Sequence, residues 1–414
     1  MPFEIALSGI SAAMADLNTT ANNIANVNTT GFKRSRAEFA NLFAVTPYGL
    51  ASNAVGSGVR VAKVAQQFGQ GNVNFTDNNL DMALSGQGFF TLSRGGQTIY
   101  SRAGDFGVDK DGYVVDPQGD KLQVFPPTAA TSGVGATNGG FDTGRLADLR
   151  LDTSDAAPSA TTSVAVGVNL PASATPPTTT PFDPTNSATY NNTTSVTTYD
   201  SLGVQHTTSF YYVKSATANT WDMYTYTDGT AVSGPDQLVY DTSGALTTPA
   251  GGTLTLPAYT PTDGAAAMTM KLDLSGSTQY SSAFSVNTLT QDGYTTGQLS
   301  GVSVGKDGSV TANYTNGQTK ALGQVALTNF ADPQGLQQIG DNAWAETYES
   351  GQPLRGAAGT SSFGQIQAGA LEASNVDLTQ ELVNMITAQR DFQANAQVIS
   401  TSDQVTQSII NIRG

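Results

Sequence analysis

Cysteine is absent from the 414-residue chain, and charged side chains are scarce. Without cysteine, the chain can form neither a disulfide bond nor a thiolate metal site. Only 12% of the residues are charged, and 33 acidic residues outnumber 18 basic ones, which gives a net charge of −15. Because the chain has no basic patch with which to neutralise phosphates, we expect it not to bind nucleic acid.

The side chains that usually carry catalysis are also missing. The one histidine, His206, lies in a strand of alternating polar residues, and we expect it to be an inert surface side chain. The sequence offers no recognisable partner with which His206 could form a Ser-His-Asp triad. Neither an HExxH motif nor a phosphate-binding loop occurs. We therefore expect no catalytic residue, no cofactor, no cofactor-binding residue and no metal ligand, in a protein that is not an enzyme.

One short stretch, Asp109-Lys-Asp111-Gly112, is similar to the start of a calcium-binding loop. It lacks the third oxygen ligand before the glycine and the glutamate at the closing position. Because Asp-Gly is also a strong signal for a tight hairpin turn, the sequence favours a hairpin here.

Long apolar runs are absent too. No segment approaches the roughly 20 apolar residues of a membrane-spanning helix, so we expect no membrane insertion. The N-terminal stretch MPFEIALSGISAAM lacks the basic region of a secretory signal peptide, which indicates a cytosolic protein or export with an intact N-terminus. The densest basic cluster, Lys33, Arg34 and Arg36, is short and is followed by Glu38, and we expect it to form a solvated loop face.

Both ends of the chain have the apolar spacing of paired helices. Near the N-terminus, one set of residues recurs every seven positions and a second set follows three residues later, which is the a/d pattern of helix pairing. The a positions are Phe3, Ile10, Leu17 and Ile24, and the d positions are Ala6, Ala13, Thr20 and Val27. A second helix is predicted from Asn375 to Ile412, with Asn375 or Asp377 as its N-cap. Its apolar stripe includes Leu382, Met385, Phe392 and Ile399.

The region between the helices is rich in glycine turns and short alternating strands, which predicts β structure. A proline- and threonine-rich stretch, 171–184, and short aromatic strands mark a separate β domain inserted in the first. We expect a mainly β, multidomain fold in which nested β domains lie between paired N- and C-terminal helices. The expected parts are a terminal helical coiled-coil domain of 1–30 plus 372–414, a connector of 31–55, an inner β domain of 56–156 plus 286–371 and an outer inserted β domain of 157–285.

Several long motifs resemble those of one known family. The stretch ANNIANVNTTGFK, residues 21–33, resembles the N-terminal signature of the axial proteins of the bacterial flagellum, which are the rod, hook and hook-associated proteins. The stretch that begins GALEASNVDLTQELVNMITAQR at Gly369 resembles their C-terminal signature, and 79–84, 88–90 and 100–106 resemble their middle domain. The rod proteins of this family are shorter and generally lack the inserted domain. The length and the inserted domain of this chain therefore resemble those of hook subunits.

This resemblance implies an extracellular structural protein that is exported by the flagellar type III apparatus without a cleaved signal peptide. Its subunits would self-assemble into a curved, hollow helical tube, a universal joint that transmits motor torque to the filament. Further partners would be the hook cap, the distal rod, the hook–filament junction proteins and the export apparatus. The terminal helices would form the inner wall, and the β domains would stack outward.

The resemblance also gives roles to particular residues. The a positions Phe3, Ile10, Leu17 and Ile24 would belong to subunit-packing helices together with Leu382, Met385, Phe392 and Ile399. Asparagine is a poor helix former, because its amide competes for backbone hydrogen bonds. Four asparagines at the end of the first helix would therefore make polar contacts with neighbouring subunits: Asn22, Asn23, Asn26 and Asn28.

Two other interpretations stay open at this point. One is a distal rod or hook-associated protein of the same structural class. The other is a surface adhesin or glycan-binding β protein with a helical stalk, which would act as a monomer and would not polymerise through its ends.

Overall fold

The computed structural model describes residues 2–42, 56–128, 140–152, 154–360 and 362–412. The chain forms two compact units. The first unit is Met1–Asp152, Gly301–Asn313 and Thr319–Gly414, and the second unit is Thr153–Ser300 and Tyr314–Gln318. The predicted division into four parts is finer than this and stays a prediction; residues 43–55 of the predicted connector lie outside the described residues.

Two long helices stand at the ends of the chain, and they contact each other, as the sequence predicts. Helix α1 is Pro2–Ala25 and helix α2 is Leu378–Ile412. The Asp377 carboxylate caps α2, because its Oδ1 accepts hydrogen bonds from the backbone N–H groups of Thr379 at 2.9 Å and Gln380 at 3.1 Å. Of the two predicted caps, Asp377 is therefore confirmed, and Asn375 has a different role.

Short strands are the main regular structure between the two helices, and the mainly β fold class is confirmed. The first are β1 Ser35–Asn41, β2 Val59–Gln66, β3 Val73–Phe75, β4 Met82–Ser85, β5 Phe89–Arg94, β6 Gln97–Ser101, β7 Gly107–Val108, β8 Val114–Val115, β9 Lys121–Phe125 and β10 Ala147–Asp148. Next come β11 Ser163–Pro171, β12 Asn192–Tyr199, β13 Gln205–Lys214, β14 Thr220–Thr227, β15 Thr230–Tyr240, β16 Leu246–Thr248, β17 Thr253–Thr255, β18 Lys271–Asp273, β19 Thr278–Tyr280 and β20 Ser285–Gln291. The last are β21 Leu299–Val304, β22 Ser309–Tyr314, β23 Thr319–Val325, β24 Leu327–Asn329, β25 Gln337–Gly340, β26 Ala343–Ala345, β27 Leu354–Gly356, β28 Gln365–Ala368 and β29 Ala370–Glu372.

The first unit is built around one large sheet, in which the strand order is β21-β22-β23-β9-β5-β6-β26-β25. Its core includes the fully buried side chains of Phe90, Leu92, Leu122 and Leu327. Beside this sheet, β1 and β2 form an antiparallel hairpin, β28 pairs with β4, and β29 pairs with β3. The last two pairings hold the segment before α2 against the start of the β region.

The Asp-Gly turn of the first unit is a hairpin, as the sequence predicts. Strands β7 and β8 pair in antiparallel fashion on either side of it. The Asp109 carboxylate accepts hydrogen bonds from the backbone N–H groups of Asp111 and Tyr113, and Gly112 has a φ of +85°. A φ in this region is one that glycine adopts without the cost that a Cβ would add.

The second unit is a sandwich of two five-stranded sheets around one core. One sheet is the meander β12-β13-β14-β15-β16, and the other has the order β17-β18-β11-β19 with β20 against β11. Val166 and Leu170 of β11 share the core with Phe210 of β13 and Trp221 of β14.

Strand β13 contradicts one sequence expectation. Alternate residues of β13 are buried, and His206 lies on the same buried face as Phe210 and Tyr212. Because only 7% of His206 is exposed, the expectation of a surface histidine is wrong. Polar residues in a strand do not by themselves indicate solvent exposure, because one face of a strand can be polar at its end and still face inward.

Candidate assembly site

Helices α1 and α2 approach each other through small side chains. The d positions Ala6, Ala13 and Thr20 of α1 are buried, and α2 buries Glu381 and Ala388, which are also seven residues apart. A second sign of close approach is Gly9, where an added Cβ would lie 2.4 Å from Oδ1 of Asn395. Small side chains therefore allow the two helix axes to come close along this face.

The large apolar side chains of the two helices lie mostly outside this small-residue contact. Phe3 is 52% exposed, Leu382 is 40% exposed and Phe392 is 37% exposed. Ile10, Leu17, Ile24, Met385 and Ile399 are half-buried. Other exposed apolar residues on the helices are Ile5, Leu7, Met14, Leu378, Val383, Ile386, Val398, Val405 and Ile410. The subunit-packing role of the eight predicted residues stays a prediction, and their observed exposure leaves them available for it.

Asn23 fastens the end of α1 to β1 and α2. The backbone N–H of Ser35 donates to Asn23 Oδ1 at 2.8 Å, and Asn23 Nδ2 donates to the Ser35 carbonyl at 2.8 Å. The same Nδ2 also donates to Glu381 Oε2 at 3.3 Å, and Asn23 is 1% exposed. The amide of Asn23 is thus engaged within its own chain.

The other three asparagines differ from Asn23 in exposure. Asn26 is half-buried; its Nδ2 donates to the carbonyl of Asn22 at 2.9 Å, and its Oδ1 accepts from the Thr29 hydroxyl at 3.2 Å. The side chains of Asn22 and Asn28 are exposed. Contacts of these asparagines with neighbouring subunits stay a prediction, and exposure favours Asn22 and Asn28 for them.

A buried ion cluster joins the segment after α1 to the segment before α2. Lys33 Nζ lies 2.6 Å from Glu372 Oε1, and both side chains are fully buried. Arg102 Nη1 lies 3.4 Å from Glu372 Oε2, and the backbone N–H of Gly71 donates to Oε1 at 2.9 Å. Lys33 Nζ also donates to the carbonyl of Gly69 at 2.9 Å. We refer to Lys33, Arg102 and Glu372 as the Glu372 cluster.

The sequence expectation of a solvated basic face is therefore wrong for Lys33. It holds for Arg36, whose side chain is 63% exposed and pairs with Glu38 at 3.0 Å. Burial lowers the pKa of Lys33, and the Glu372 carboxylate opposes this by stabilising the charged form. A sequence signal for this pair did exist: Lys33 and Glu372 carry opposite charges and lie in the two terminal motifs.

Backbone contacts complete this junction between the two ends of the chain. Gly31 has a φ of +68°, its N–H donates to the Glu372 carbonyl at 2.8 Å, and an added Cβ would lie 2.5 Å from the nitrogen of Ala103. Asn375 Oδ1 accepts from the Arg34 N–H at 2.8 Å, and its Nδ2 donates to the carbonyl of Gln67 at 2.7 Å. The sequence analysis predicted neither these hydrogen bonds of Asn375 nor the ion pair of Arg102 with Glu372.

A groove of about 640 Å³ lies between α1, β1 and α2. Asp16, Arg34 and Glu381 are among its lining residues, and Arg34 Nη1 lies 3.8 Å from Glu381 Oε1. Burial raises the pKa of Asp16, and the nearby acidic groups of Glu381 and Asp391 raise it further. The ionised form of Asp16 is thus disfavoured where the two helices meet.

Sequence comparison gives full-length relatives for this chain. It is 39% identical over 425 residues to the flagellar hook protein FlgE of Escherichia coli strain K12, with 100% of both chains covered. The chain belongs to the flagellar hook protein family. It is 38% identical to the FlgE of Salmonella typhimurium, again over 100% of both chains, and 33% identical to that of Rhizobium meliloti, over 98% of this chain and 97% of the relative. As a member of the hook family, it is a structural subunit of the flagellar hook.

Family models match successive parts of this hook subunit. The flagella basal body rod protein model matches residues 3–33, and the flagellar basal body rod FlgEFG protein C-terminal model matches 367–412. Between them, the flagellar hook protein FlgE/F/G D1 domain model matches 83–175, and the flagellar basal body protein FlaE D2 domain model matches 169–294. The two terminal matches contain Lys33 and Glu372, the closest pair of the Glu372 cluster.

A solved structure supports the hook family fold. The crystal structure of Helicobacter pylori flagellar hook protein FlgE2 superposes with a TM-score of 0.54 at 15% identity, covering 72% of this chain and 100% of that chain. Within the described residues, no helix is both long enough and apolar enough to cross a membrane.

Proposed function

We propose that this hook subunit polymerises into a curved, hollow helical tube through the apolar surface that α1 and α2 leave exposed. The tube acts as a universal joint and transmits motor torque to the filament. The observation that carries the proposal is the exposure of large apolar side chains on both helices after they have packed on each other. Large apolar side chains that stay exposed together on paired helices are more typical of protein–protein contact surfaces than of the free surface of a soluble monomer.

The energetics favour contact with further subunits. Full burial of one valine, leucine, isoleucine or phenylalanine side chain contributes roughly 1.5–3 kcal/mol. Val383, Ile386, Val398 and Val405 are each between 47% and 54% exposed, so each has about half of this contribution still to gain. If the surfaces that meet on neighbouring subunits differ, the contact is heterologous, and repetition produces an open helical assembly when the rotation does not close into a ring.

The other predicted features fit this proposal. The terminal helices of 1–30 plus 372–414 form the permanent inner contacts, with Asn22 and Asn28 bonding to neighbouring subunits. The inner β domain lies outside the helices, and the outer domain of 157–285 makes weak, polar contacts that slide as the tube bends. Residues 153–300 have ten aspartates and two lysines, so few ion pairs between subunits would have to break in each rotation.

The proposal also includes partners and location. The subunit leaves the cell through the flagellar export apparatus with its N-terminus intact and has no enzymatic activity. It assembles outside the cell beneath the hook cap, on the distal rod, and later contacts the hook–filament junction proteins.

The first test is electron microscopy of the purified full chain at high concentration, compared with a chain that lacks 1–30 and 375–414. Curved tubes from the full chain and separate particles from the trimmed chain are expected. Straight, rigid assemblies would favour a distal rod protein instead. Separate particles from both chains, also after addition of preformed hook fragments as seeds, would contradict the proposal.

A point variant refines this test. Val405→Glu places a charge on the exposed apolar surface of α2, and it is expected to block tube formation while the monomer stays folded. Gln404→Glu adds the same charge to the neighbouring exposed position and is the matched control. Equal loss of tubes in both variants would indicate a general charge effect and would contradict a role for the apolar surface.

A further inference from the structure

The second unit brings one imidazole and three carboxylates together at the end of its core. His206 lies near the start of β13 on the buried face, and Asp200, in the turn that precedes β13, is fully buried. Asp228 follows β14 at the tight turn to β15, and Asp263 is an exposed residue of the loop 260–267. Asp200 and His206 are six positions apart, whereas Asp228 and Asp263 are more distant in sequence, and the sequence analysis found no metal set among the four.

The two ring nitrogens of His206 have different surroundings. Nδ1 lies 2.6 Å from Asp228 Oδ2, whereas Nε2 lies 3.3 Å from Asp200 Oδ2. Charge-assisted hydrogen bonds are usually about 2.7–2.9 Å long, so the contact at Nε2 is long for a hydrogen bond of this kind. Two ligands of a tetrahedral zinc ion, each about 2.0–2.1 Å from the metal, are themselves roughly 3.3 Å apart. The separation of Nε2 and Oδ2 therefore suits two ligands of one ion.

Asp200 is held in position by the backbone. Its Oδ1 accepts hydrogen bonds from the N–H groups of Leu202 at 2.8 Å and Val204 at 2.9 Å. These bonds fix the carboxylate and leave Oδ2 directed at the imidazole. Asp200 Oδ2 and His206 Nε2 are therefore two potential metal ligands whose positions are fixed by the fold.

Asp263 supplies a third oxygen. One ligand atom from each of Asp200, His206 and Asp263 lies within 4.8 Å of the other two. The loop that carries Asp263 is tied to the Asp200 turn, because the backbone N–H of Ala266 donates to the Ser201 hydroxyl at 2.9 Å. Since the Asp263 side chain is exposed, it can rotate into coordination distance without a change in the core.

The charge of the cluster also favours a cation. Among the described residues, no lysine or arginine forms an ion pair with Asp200, Asp228 or Asp263, and His206 is the one basic group that does. Of the two lysines in residues 153–300, Lys214 lies at the opposite end of β13, where its ammonium group donates to backbone carbonyls. Three carboxylates around one imidazole leave an excess of negative charge that a divalent ion would neutralise.

We propose that Asp200, His206 and Asp263 bind a divalent transition metal of the zinc type, with Nε2 of His206 as the nitrogen ligand. Asp228 is a positioning residue that accepts a hydrogen bond from Nδ1–H and fixes the ring, an arrangement common around metal-bound histidines. An imidazole ligand suits zinc and its neighbours, whereas magnesium and calcium prefer oxygen ligands alone. The ion would fasten the loop 260–267 to the end of the sandwich.

The test is equilibrium dialysis of the full-length monomeric chain against Zn²⁺, with metal content measured by mass spectrometry and a chelator of known affinity as competitor. One bound Zn²⁺ per chain is expected, and an excess of Mg²⁺ or Ca²⁺ should not displace it. Asp263→Asn is expected to weaken binding at least ten-fold, and Asp228→Asn to weaken it about 10–100-fold. Asp155→Asn, at another exposed aspartate of the second unit, is the matched control and should bind as the unchanged chain does.

Three results would overturn the proposal. They are the lack of a stoichiometric Zn²⁺, unchanged Zn²⁺ affinity in Asp263→Asn, and displacement of Zn²⁺ by Mg²⁺ at similar concentration. Asp263 is exposed, so its variant is expected to fold, and circular dichroism of each variant confirms this before dialysis. Thermal unfolding gives a second readout, since Zn²⁺ should raise the unfolding temperature of the unchanged chain and of Asp155→Asn but not that of Asp263→Asn.

Discussion

The ammonium group of Lys33 lies 2.6 Å from the carboxylate of Glu372, although the two residues are 339 positions apart in the chain. Lys33 follows the first helix and Glu372 precedes the last one. The pair therefore joins the segment after α1 to the segment before α2. The polymer contacts are proposed to lie on these two helices. The Glu372 cluster therefore fixes the helix ends from which the proposed assembly surface extends.

Removal of the Glu372 charge should destabilise the first unit strongly. Glu372→Gln leaves Lys33 and Arg102 buried without a counter-charge, and breaking a buried pair in this way costs about 3–5 kcal/mol of unfolding free energy. Denaturant unfolding of the full chain measures this loss. Glu38→Gln breaks an exposed pair with Arg36 and is the control, with an expected change of about 1 kcal/mol or less. Similar losses in both variants would mean that the buried cluster has no special role.

The close approach of Gly9 to Asn395 predicts coupling between the two positions. Gly9→Ala alone places a Cβ 2.4 Å from Asn395 Oδ1, so the Asn395 side chain has to move, and this cost offsets the higher helix propensity of alanine. Asn395→Ala removes the obstructing atoms, so the double variant should recover stability. A double-mutant cycle by thermal unfolding is expected to give a coupling energy in the range of roughly 0.5–3 kcal/mol. Additive effects of the two substitutions would show that the helices do not pack at these residues.

Asp16 should make helix pairing depend on pH. Its pKa in the folded chain is raised above the ordinary value of 3.8 by burial and by the charges of Glu381 and Asp391. A carboxyl group whose pKa is raised on folding favours the folded state when it is protonated, so pairing should strengthen as the pH falls through the raised pKa. Near neutral pH the ionised Asp16 opposes pairing.

The Asp16→Asn variant tests this relationship. At neutral pH it should unfold at a higher temperature than the unchanged chain, and the difference should shrink as the pH falls through the raised pKa of Asp16. Asp403→Asn changes an exposed aspartate of α2 and should leave the pH dependence as it was. A difference between Asp16→Asn and the unchanged chain that stays constant over this range of pH would contradict the argument.

Substitution of the buried Asn23 should reduce the stability of the monomer, whereas substitution of the exposed Asn22 should affect assembly. Asn23→Ala removes two hydrogen bonds to the Ser35 backbone and one to Glu381, and a buried group left unsatisfied costs about 1–3 kcal/mol. Asn22→Ala changes an exposed side chain and should leave monomer stability within about 0.5 kcal/mol. If Asn22 bonds to a neighbouring subunit, its variant should still raise the concentration needed for tube formation. Unchanged assembly in Asn22→Ala would exclude that contact.

The sequence was most informative where a pattern repeats. The seven-residue spacing of Ala6, Ala13 and Thr20 predicted a helix contact, and these residues are buried. The Asp377 cap and the turn at Asp111-Gly112 were also recognisable, because capping and hairpin turns depend on residues close in sequence.

The sequence was least informative where contacts join distant residues. Lys33 looked solvated because its partner Glu372 is 339 positions away, and the sequence gives no distance between them. His206 looked exposed because its neighbours in sequence are polar, whereas its ring contacts Asp228 and the ring of Tyr259, which are distant in sequence. Asp263 lies close to Asp200 and His206 because of the path of the loop 260–267. The spacing of the three residues in the sequence does not reveal this.

A reconstruction by cryo-electron microscopy of the tubes formed by the full chain tests the central claim most directly. The account predicts that α1 and α2 of neighbouring subunits form the inner wall and that Val383, Ile386, Val398 and Val405 are buried between subunits. Tubes in which these four side chains face solvent, with contacts made by the β units alone, would contradict it.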